Sequence, residues 1–233
     1  MNKCICIIPI RSKSKGIVNK NIKKLAGMPL VLYAIKSAVL SKVFQSIIVA
    51  TDSSNYINYI KNQIKNKKIN SKKIEYYKRS LKSAKDFAPT ELVITEILKK
   101  IKNIDIIYLI QATSPFLQSQ DIKNSFYKFK KNKFDSMFSC CQFKKFIWSN
   151  SKKIKPINYN YSKRPMRQHV KNSYMENGAF YIFKKKGFDK YKNRLFGKIG
   201  FFNMPIERSI DIDVDHDFKL ANYFINKKLL NTK

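Results

Sequence analysis

Apolar residues fall in short continuous runs separated by stretches of helical period. Residues 4–10 form one such run, ending at Pro9 and a basic loop, and predict a buried strand. Residues 29–42 place Leu30, Val31, Ala34, Ile35, Ala38 and Val39 at i, i+3, i+4 spacing behind a proline, as an amphipathic helix does. Residues 47–50 predict a second strand. Thr51-Asp52-Ser53 then supplies a helix cap, and Ile57, Ile60 and Ile64 the apolar stripe of the helix that follows. A short strand over 74–77, a helix over 89–101, a fully apolar strand over 106–110 and a helix over 120–131 continue the alternation. This order predicts right-handed βαβ units, a mostly parallel sheet and an α/β fold. Such sheets bind ligands beyond the C-terminal ends of their strands, so the segments after the first, third and fourth strands are where chemistry is expected.

The second half breaks the rhythm. Residues 135–143 alternate as a strand does, and 150–172 are polar, basic and aperiodic, the mark of a long excursion. Strands are expected over 176–183 and 201–205. A closing helix over 218–230 carries Leu220, Ala221, Phe224 and Ile225 on one face. With no internal repeat and no linker, residues 1–233 are expected to form a single domain.

The formal net charge of +33 points first to nucleic acid or a membrane surface. Its make-up argues otherwise. Six of the 48 basic residues are Arg (11, 79, 164, 167, 194, 208), and the rest are Lys scattered among Ile and Asn. That pattern is a compositional bias, whereas nucleic-acid readers cluster charge and use Arg forks. No specific nucleic-acid partner is expected. The cysteines, 4, 6, 140 and 141, lack zinc spacing, and His169 and His216 stand apart from them. Buried, reduced strand thiols and a cytoplasmic location are expected. No segment reaches the length of apolar chain that membrane insertion requires, and the N-terminal run is too short for a signal peptide.

Four constellations carry candidate chemistry. In Pro9-Ile-Arg11-Ser-Lys13-Ser14-Lys15-Gly16 followed by Lys20-Asn21, cations, hydroxyls and a glycine follow a strand, a mixture suited to phosphate. It is neither a Walker loop nor a dinucleotide fingerprint, and on composition alone a solvated basic loop fits as well. Gln111-Ala-Thr-Ser-Pro115 follows the most apolar strand, where its polar groups face a base or sugar, or simply make a Ser-Pro turn. In Asp211-Ile-Asp213-Val-Asp215-His-Asp217, four of the chain's 15 acidic residues fall within seven positions. Alternation puts Asp211 and Asp213 on one face, a pairing that suits Mg²⁺, while Asp217 reads as a cap of the closing helix. Arg164, Arg167 and Gln168, then Tyr174 and Asn177-Gly178-Ala179, lie on or beside the excursion, where an Arg fork would meet a carboxylate and Tyr174 would contact substrate or pack.

Together these segments resemble the CMP-sialic acid synthetases, the acylneuraminate cytidylyltransferases. Arg11, Ser14, Lys15, Gly16, Lys20 and Asn21 match that family's Pro-Ala-Arg-Gly-Gly-Ser-Lys-Gly … Lys-Asn loop, while Ile10, Ser12 and Lys13 depart from it. Leu25-Ala-Gly-Met-Pro-Leu30, Ile48-Val-Ala-Thr-Asp-Ser53, the Arg79 to Asp86 stretch (Ser80 replacing Pro), Gln111-Ala-Thr-Ser-Pro115, Arg167-Gln168, Asn177-Gly178-Ala179 and Ile210-Asp-Ile-Asp213 follow in the family's order. After Phe143, where the family often has a His-rich turn, this chain has Lys144-Lys145-Phe146-Ile147-Trp148.

The resemblance implies a three-layer α/β fold of the nucleotide-diphospho-sugar transferase type. This is Rossmann-like, with a mixed, mostly parallel sheet and a small dimerisation excursion over 150–175. It implies transfer of CMP from CTP to an acidic nine-carbon sugar, with Mg²⁺ on Asp211 and Asp213. Arg11, Ser14, Lys15, Lys20, Asn21, Arg79 and Thr90 would surround the nucleotide, and Arg11, Lys20 and Asp211 would carry catalysis. Gln111, Arg167, Gln168, Tyr174 and Asn177 would meet the sugar, Arg167 through its carboxylate. A homodimer would exchange residues 161–172. Sialic, legionaminic, pseudaminic and KDO-like acids are not separated by the sequence, and a basic nucleic-acid-binding protein is the rival from another class.

Overall fold

A computed structural model describes residues 3–14, 16–150, 153–170 and 173–227. In chain order the elements are β1 (Cys4–Pro9), β2 (Lys24–Leu25), β3 (Met28–Pro29), α1 (Leu30–Ser41), β4 (Ser46–Thr51), α2 (Ser54–Asn66), β5 (Ile74–Lys78), α3 (Leu81–Ala84) and α4 (Thr90–Lys100). They continue with β6 (Ile106–Ile110), α5 (Ser119–Lys131), β7 (Ser136–Gln142), β8 (Trp148–Asn150), β9 (Ile154–Pro156), β10 (Tyr174–Lys184), α6 (Lys185–Tyr191), β11 (Ile199–Met204) and α7 (Asp215–Asn226).

Seven strands form one sheet in the order β11-β7-β10-β6-β1-β4-β5. The β1–β4, β1–β6, β4–β5 and β7–β11 pairs are parallel, while β10 runs antiparallel to both β6 and β7. The sheet is therefore mostly parallel, as the alternation implies, and mixed, as the resemblance implies. Period-2 alternation splits each central strand between two apolar layers. Cys4, Cys6, Ile8, Ile47, Val49, Ile106, Tyr108 and Ile110 pack toward α1, α2 and α5. Ile5, Ile7, Ile48, Ala50, Ile107 and Leu109 pack toward α4 and Phe188 of α6. A central strand buried on both faces has to read as a continuous apolar run, which is why residues 4–10 and 106–110 do.

The four cysteines are free and buried, and burial pushes the Cys4 and Cys6 thiols well up. Among the described residues no helix is long and apolar enough to cross a membrane.

Several local expectations shift. The buried stripe of α2 is Tyr56, Ile60 and Ile64, so it starts one residue before Ile57. α7 begins at Asp215, ahead of the expected 218, because the Asp217 carboxylate accepts from the amides of Asp213 and Val214, both at 3.0 Å, and closes the first turn. Residues 228–230 of the expected closing helix lie outside the described residues. The last sheet strand starts at Ile199. The β2–β3 hairpin, the short helices α3 and α6, and the β8–β9 hairpin that leads into the polar excursion had no periodic signal.

Candidate active site

β1, β4, β5 and β6 all deliver their C-terminal ends to one edge of the sheet. There they surround a cleft of about 380 Å³, lined by Arg11, Ser14, Gly16, Lys20, Asn21, Arg79, Lys85, Asp86, Thr90, Gln111, Thr113 and Asp213 among others. The sheet's geometry places a ligand at this edge. The N-terminus of α4, which begins at Thr90, adds a partial positive charge.

The basic loop is held from below by residues that carry no positive charge. Asp52, just past β4, accepts from the Ser12 amide at 2.9 Å and from its hydroxyl at 2.6 Å. The Tyr56 hydroxyl donates to the Ser12 carbonyl at 3.2 Å and to Asn19 Oδ1 at 2.9 Å. Buried Asn21 donates its amide to the Arg11 carbonyl at 3.0 Å. Desolvation alone would raise the Asp52 carboxyl. The two bonds from Ser12, with the charge of Arg79, hold it below the usual range instead. Arg11 reaches across the cleft to Asp86, with Nη1 at 3.0 Å from Oδ1.

The acidic run closes the other side. Ile212 is fully buried beside Ile17, Leu25, Phe116 and Phe218, while Asp211 and Asp213 point the other way: Asp213 lines the cleft, and Asp211 stands beside Thr113 and Gly178 rather than among the lining residues. Burial of one isoleucine contributes roughly 2 kcal/mol, enough to fix the register of the alternation. The Ile212 amide donates to the Thr113 carbonyl at 2.9 Å, tying the run to the Gln111–Pro115 turn. Lys20 Nζ donates to the Ile212 carbonyl at 2.7 Å and to Asp213 Oδ1 at 3.1 Å. Gly16 packs directly on this run: a Cβ there would stand 2.3 Å from the Asp213 carbonyl oxygen. Desolvation raises the Asp211 pKa, and the Asp213 and Asp217 charges add to the rise. A bond from Thr113 and the charge of Lys20 oppose it.

Arg79 is buried, with Nε donating to Ser83 Oγ at 3.3 Å and Nη2 to the Ser83 carbonyl, and it lines the cleft together with Ser14, Thr90 and Gln111. Arg167 and Gln168 do not reach this cleft. They line a separate cavity of about 610 Å³ with Lys144, Lys145 and Glu207, and Arg167 Nε donates to the Lys144 carbonyl at 3.0 Å. Tyr174 stacks on Phe201 with ring centroids 4.5 Å apart, the packing alternative for that residue. Asn177 is buried in a bulge of β10 and donates to Ser209 Oγ at 2.8 Å. Lys15, and residues 171–172 of the exchange segment, lie outside the described residues.

Asp52, Tyr56 and Asp86 carry no site role in the sequence analysis: Tyr56 has no signal, and Asp52 and Asp86 stand there within the 48–53 and 79–86 segments. Asp52 was absorbed into the helix cap, yet Ser53 alone makes it, accepting from the Tyr56 amide. Its position just past a parallel strand was the available signal. Asp86 closes the Arg79 to Asp86 segment that matches the family, but only the tertiary fold shows that it stands opposite Arg11.

Comparison with known proteins agrees with this geometry. A family model described as cytidylyltransferase matches residues 5–230. N-acylneuraminate cytidylyltransferase A of Danio rerio is 34% identical over 92% of this chain and 49% of its own length. The Escherichia coli N-acylneuraminate cytidylyltransferase is 31% identical over 97% of this chain and 53% of its own. The chain thus spans about half the length of the first curated relatives it matches. Post-translational flagellin modification protein B of Campylobacter coli is 28% identical over 100% of this chain and 99% of its own. In fold, the chain is similar to CMP:2-keto-3-deoxy-manno-octonic acid synthetase solved with CTP. The TM-score is 0.71 at 13% identity, over 97% of this chain and 100% of the other. The 4-diphosphocytidyl-2C-methyl-D-erythritol synthase of Anaerococcus prevotii follows at 0.68 and 14% identity, over 97% and 99%. A cleft of phosphate-type cations facing a carboxylate run, on this sheet, agrees with those matches: the chain belongs to the cytidylyltransferase family, and its relatives there include the N-acylneuraminate cytidylyltransferases.

Proposed function

We propose that this chain transfers CMP from CTP to the anomeric hydroxyl of a sialic-acid-type nonulosonic acid, releases pyrophosphate, and uses Mg²⁺. One observation carries the reading. The cation loop and the acidic run, at opposite ends of the sequence, close on each other at the sheet edge through Gly16, Lys20, Ile212 and Asp213. A triphosphate site needs both signs of charge within reach of one ligand. The relatives named N-acylneuraminate cytidylyltransferase support the nucleotide and the sugar-acid class.

In this reaction the sugar's anomeric oxygen attacks the α-phosphorus of CTP. A P–O bond forms, the bond from that phosphorus to the bridging oxygen of the β-phosphate breaks, and pyrophosphate leaves with the electron pair. The hydroxyl proton passes to water in the open cleft. Arg11 and Lys20 neutralise and align the phosphates, with Ser14 beside them and the α4 N-terminus at Thr90 adding its dipole. Asn21 acts through the Arg11 carbonyl it holds, and Gln111 meets the sugar. Among the described residues no cluster of three or more metal-ligating side chains occurs. A carboxylate pair fits Mg²⁺, which keeps several waters and takes its other oxygens from substrate phosphates. Packing and like charge already raise the Asp211 carboxyl, a cost that a cation relieves. Asp211 and Asp213 would hold Mg²⁺, which would neutralise charge on the triphosphate and lower the pKa of a bound hydroxyl. Arg167 and Gln168 stand outside the cleft, so this reading has them serve the sugar site of a second copy in a homodimer. A cytoplasmic location completes it.

The test is pyrophosphate release from CTP and Mg²⁺ with sialic, legionaminic, pseudaminic and 2-keto-3-deoxy-manno-octonic acids. Turnover with one nonulosonic acid is expected, together with thermal protection by CTP over UTP, GTP and ATP. Asp211→Ala should lower turnover about a hundredfold, or ~2.7 kcal/mol of barrier. Activity within about threefold of wild type, ~0.7 kcal/mol, would remove the metal assignment. Steeply salt-dependent duplex binding without protection by CTP would favour the nucleic-acid reading instead.

A further inference from the structure

The residues just before the acidic run form a second, quite different anchor. Arg208 Nη2 donates to Asp121 Oδ1 at 2.8 Å and Nη1 donates to Asp121 Oδ2, so both prongs of the guanidinium are used. Asp121 is buried, at 6% exposure, in the first turn of α5, where Oδ2 also accepts from the Gln118 amide at 3.0 Å. The helix is a firm base, because Ile122, Ser125 and Phe129 bury its inner face. Next in sequence, Ser209 Oγ accepts from buried Asn177 at 2.8 Å and donates to the Pro205 carbonyl at 2.9 Å. Beyond Asp211, the Ile212 and Asp213 amides are taken by Thr113 and Asp217. Asp211 is thus braced on both sides, by a two-pronged ion pair three residues before it and by backbone bonds after it.

We propose that Arg208 and Asp121 are positioning residues: their fork ties the root of the acidic run to α5 and sets where Asp211 and Asp213 stand against Lys20. The inference rests on the functional reading above, in which those carboxylates hold the metal. The choice of cation supports it. Lys dominates this chain, but a planar fork fixes direction as well as distance, and a single ammonium does not. A largely buried bidentate pair is also costly to break on one side only, so the segment has one favoured placement.

The test compares Arg208→Lys and Asp121→Asn with wild type. In both variants the Mg²⁺ concentration for half-maximal pyrophosphate release should rise about tenfold, as for loss of groups that orient metal ligands, with KM for the sugar acid unchanged. Combining them should add little further loss, because they act as one unit. Independently of turnover, hydrogen exchange at the Ile212 and Asp213 amides should accelerate while β1 and β6 stay protected. An unchanged Mg²⁺ requirement with unchanged exchange overturns the proposal. So does a lowered Tm with a uniform fall in kcat, which marks a merely structural pair. If wild type turns over no sugar acid, the functional reading fails, and the exchange measurement still decides whether the fork positions the run.

Discussion

Lys20 Nζ lies 2.7 Å from the Ile212 carbonyl oxygen and 3.1 Å from Asp213 Oδ1, so one ammonium group links the two ends of the sequence across the cleft. The Lys20 side chain is 12% exposed and that of Asp213 is 72% exposed. The ammonium is the buried partner and the carboxylate the one open to the cleft. Lys20→Met should lower kcat/KM for CTP about a hundredfold, ~2.7 kcal/mol, in line with loss of a preorganised donor. A change below threefold in steady-state kinetics would count against phosphate contact by Lys20.

Arg11 is engaged by Asp86, and a triphosphate must compete for it. The pair is partly exposed, so its worth is small, about 0.5–1 kcal/mol. Asp86→Asn should accordingly tighten CTP binding by about two- to fivefold in calorimetry. Weaker binding would show that Asp86 helps the nucleotide rather than opposing it.

Gly16 has no room for a side chain, since a Cβ would meet the Asp213 carbonyl at 2.3 Å. Gly16→Ala must push the basic loop and the acidic run apart. Turnover should fall at least about tenfold, ~1.4 kcal/mol, while the circular dichroism spectrum is preserved. Full activity in the variant would mean that the contact does not set the site.

Asp211 has a pKa raised chiefly by desolvation, with Asp213 and Asp217 adding to the rise. A carboxyl raised on folding holds its proton more tightly in the folded state. It therefore costs stability once ionised, and the penalty develops as pH rises from the ordinary carboxylate value through the raised one. Asp211→Asn should raise Tm at pH 7 in metal-free buffer, and the gain should vanish in acid below the ordinary range. Metal affinity of the wild type should fall with pH earlier than for an ordinary carboxylate. A Tm difference independent of pH would contradict the assignment of the shift.

The layered α/β core was legible because burial on both faces leaves a plain mark. Residues 4–10 and 106–110 read as unbroken apolar runs, and α1 and α4 show their stripes at helical spacing. Short elements had no such mark. α3 spans only Leu81–Ala84, with Leu81 exposed, and the β8–β9 hairpin carries mostly polar or exposed residues. At the site, the residues with unusual composition were visible: the basic loop, the acidic run and the turn at Gln111. The residues that hold them, Asp52, Tyr56, Asp121 and Arg208, look like ordinary surface polar groups until folding supplies their partners.

What the sequence by itself determined was therefore the kind of sheet, the edge where chemistry belongs and the charged segments gathered there, because periodicity and composition are local properties. Only the tertiary structure decided that Lys20 meets Asp213, that Gly16 must lack a side chain, and that Arg167 lies outside the cleft containing Gln111. Those are contacts between residues distant in sequence, set by strand order and by which face each segment buries. A linear pattern carries the need for a partner but not the partner's identity.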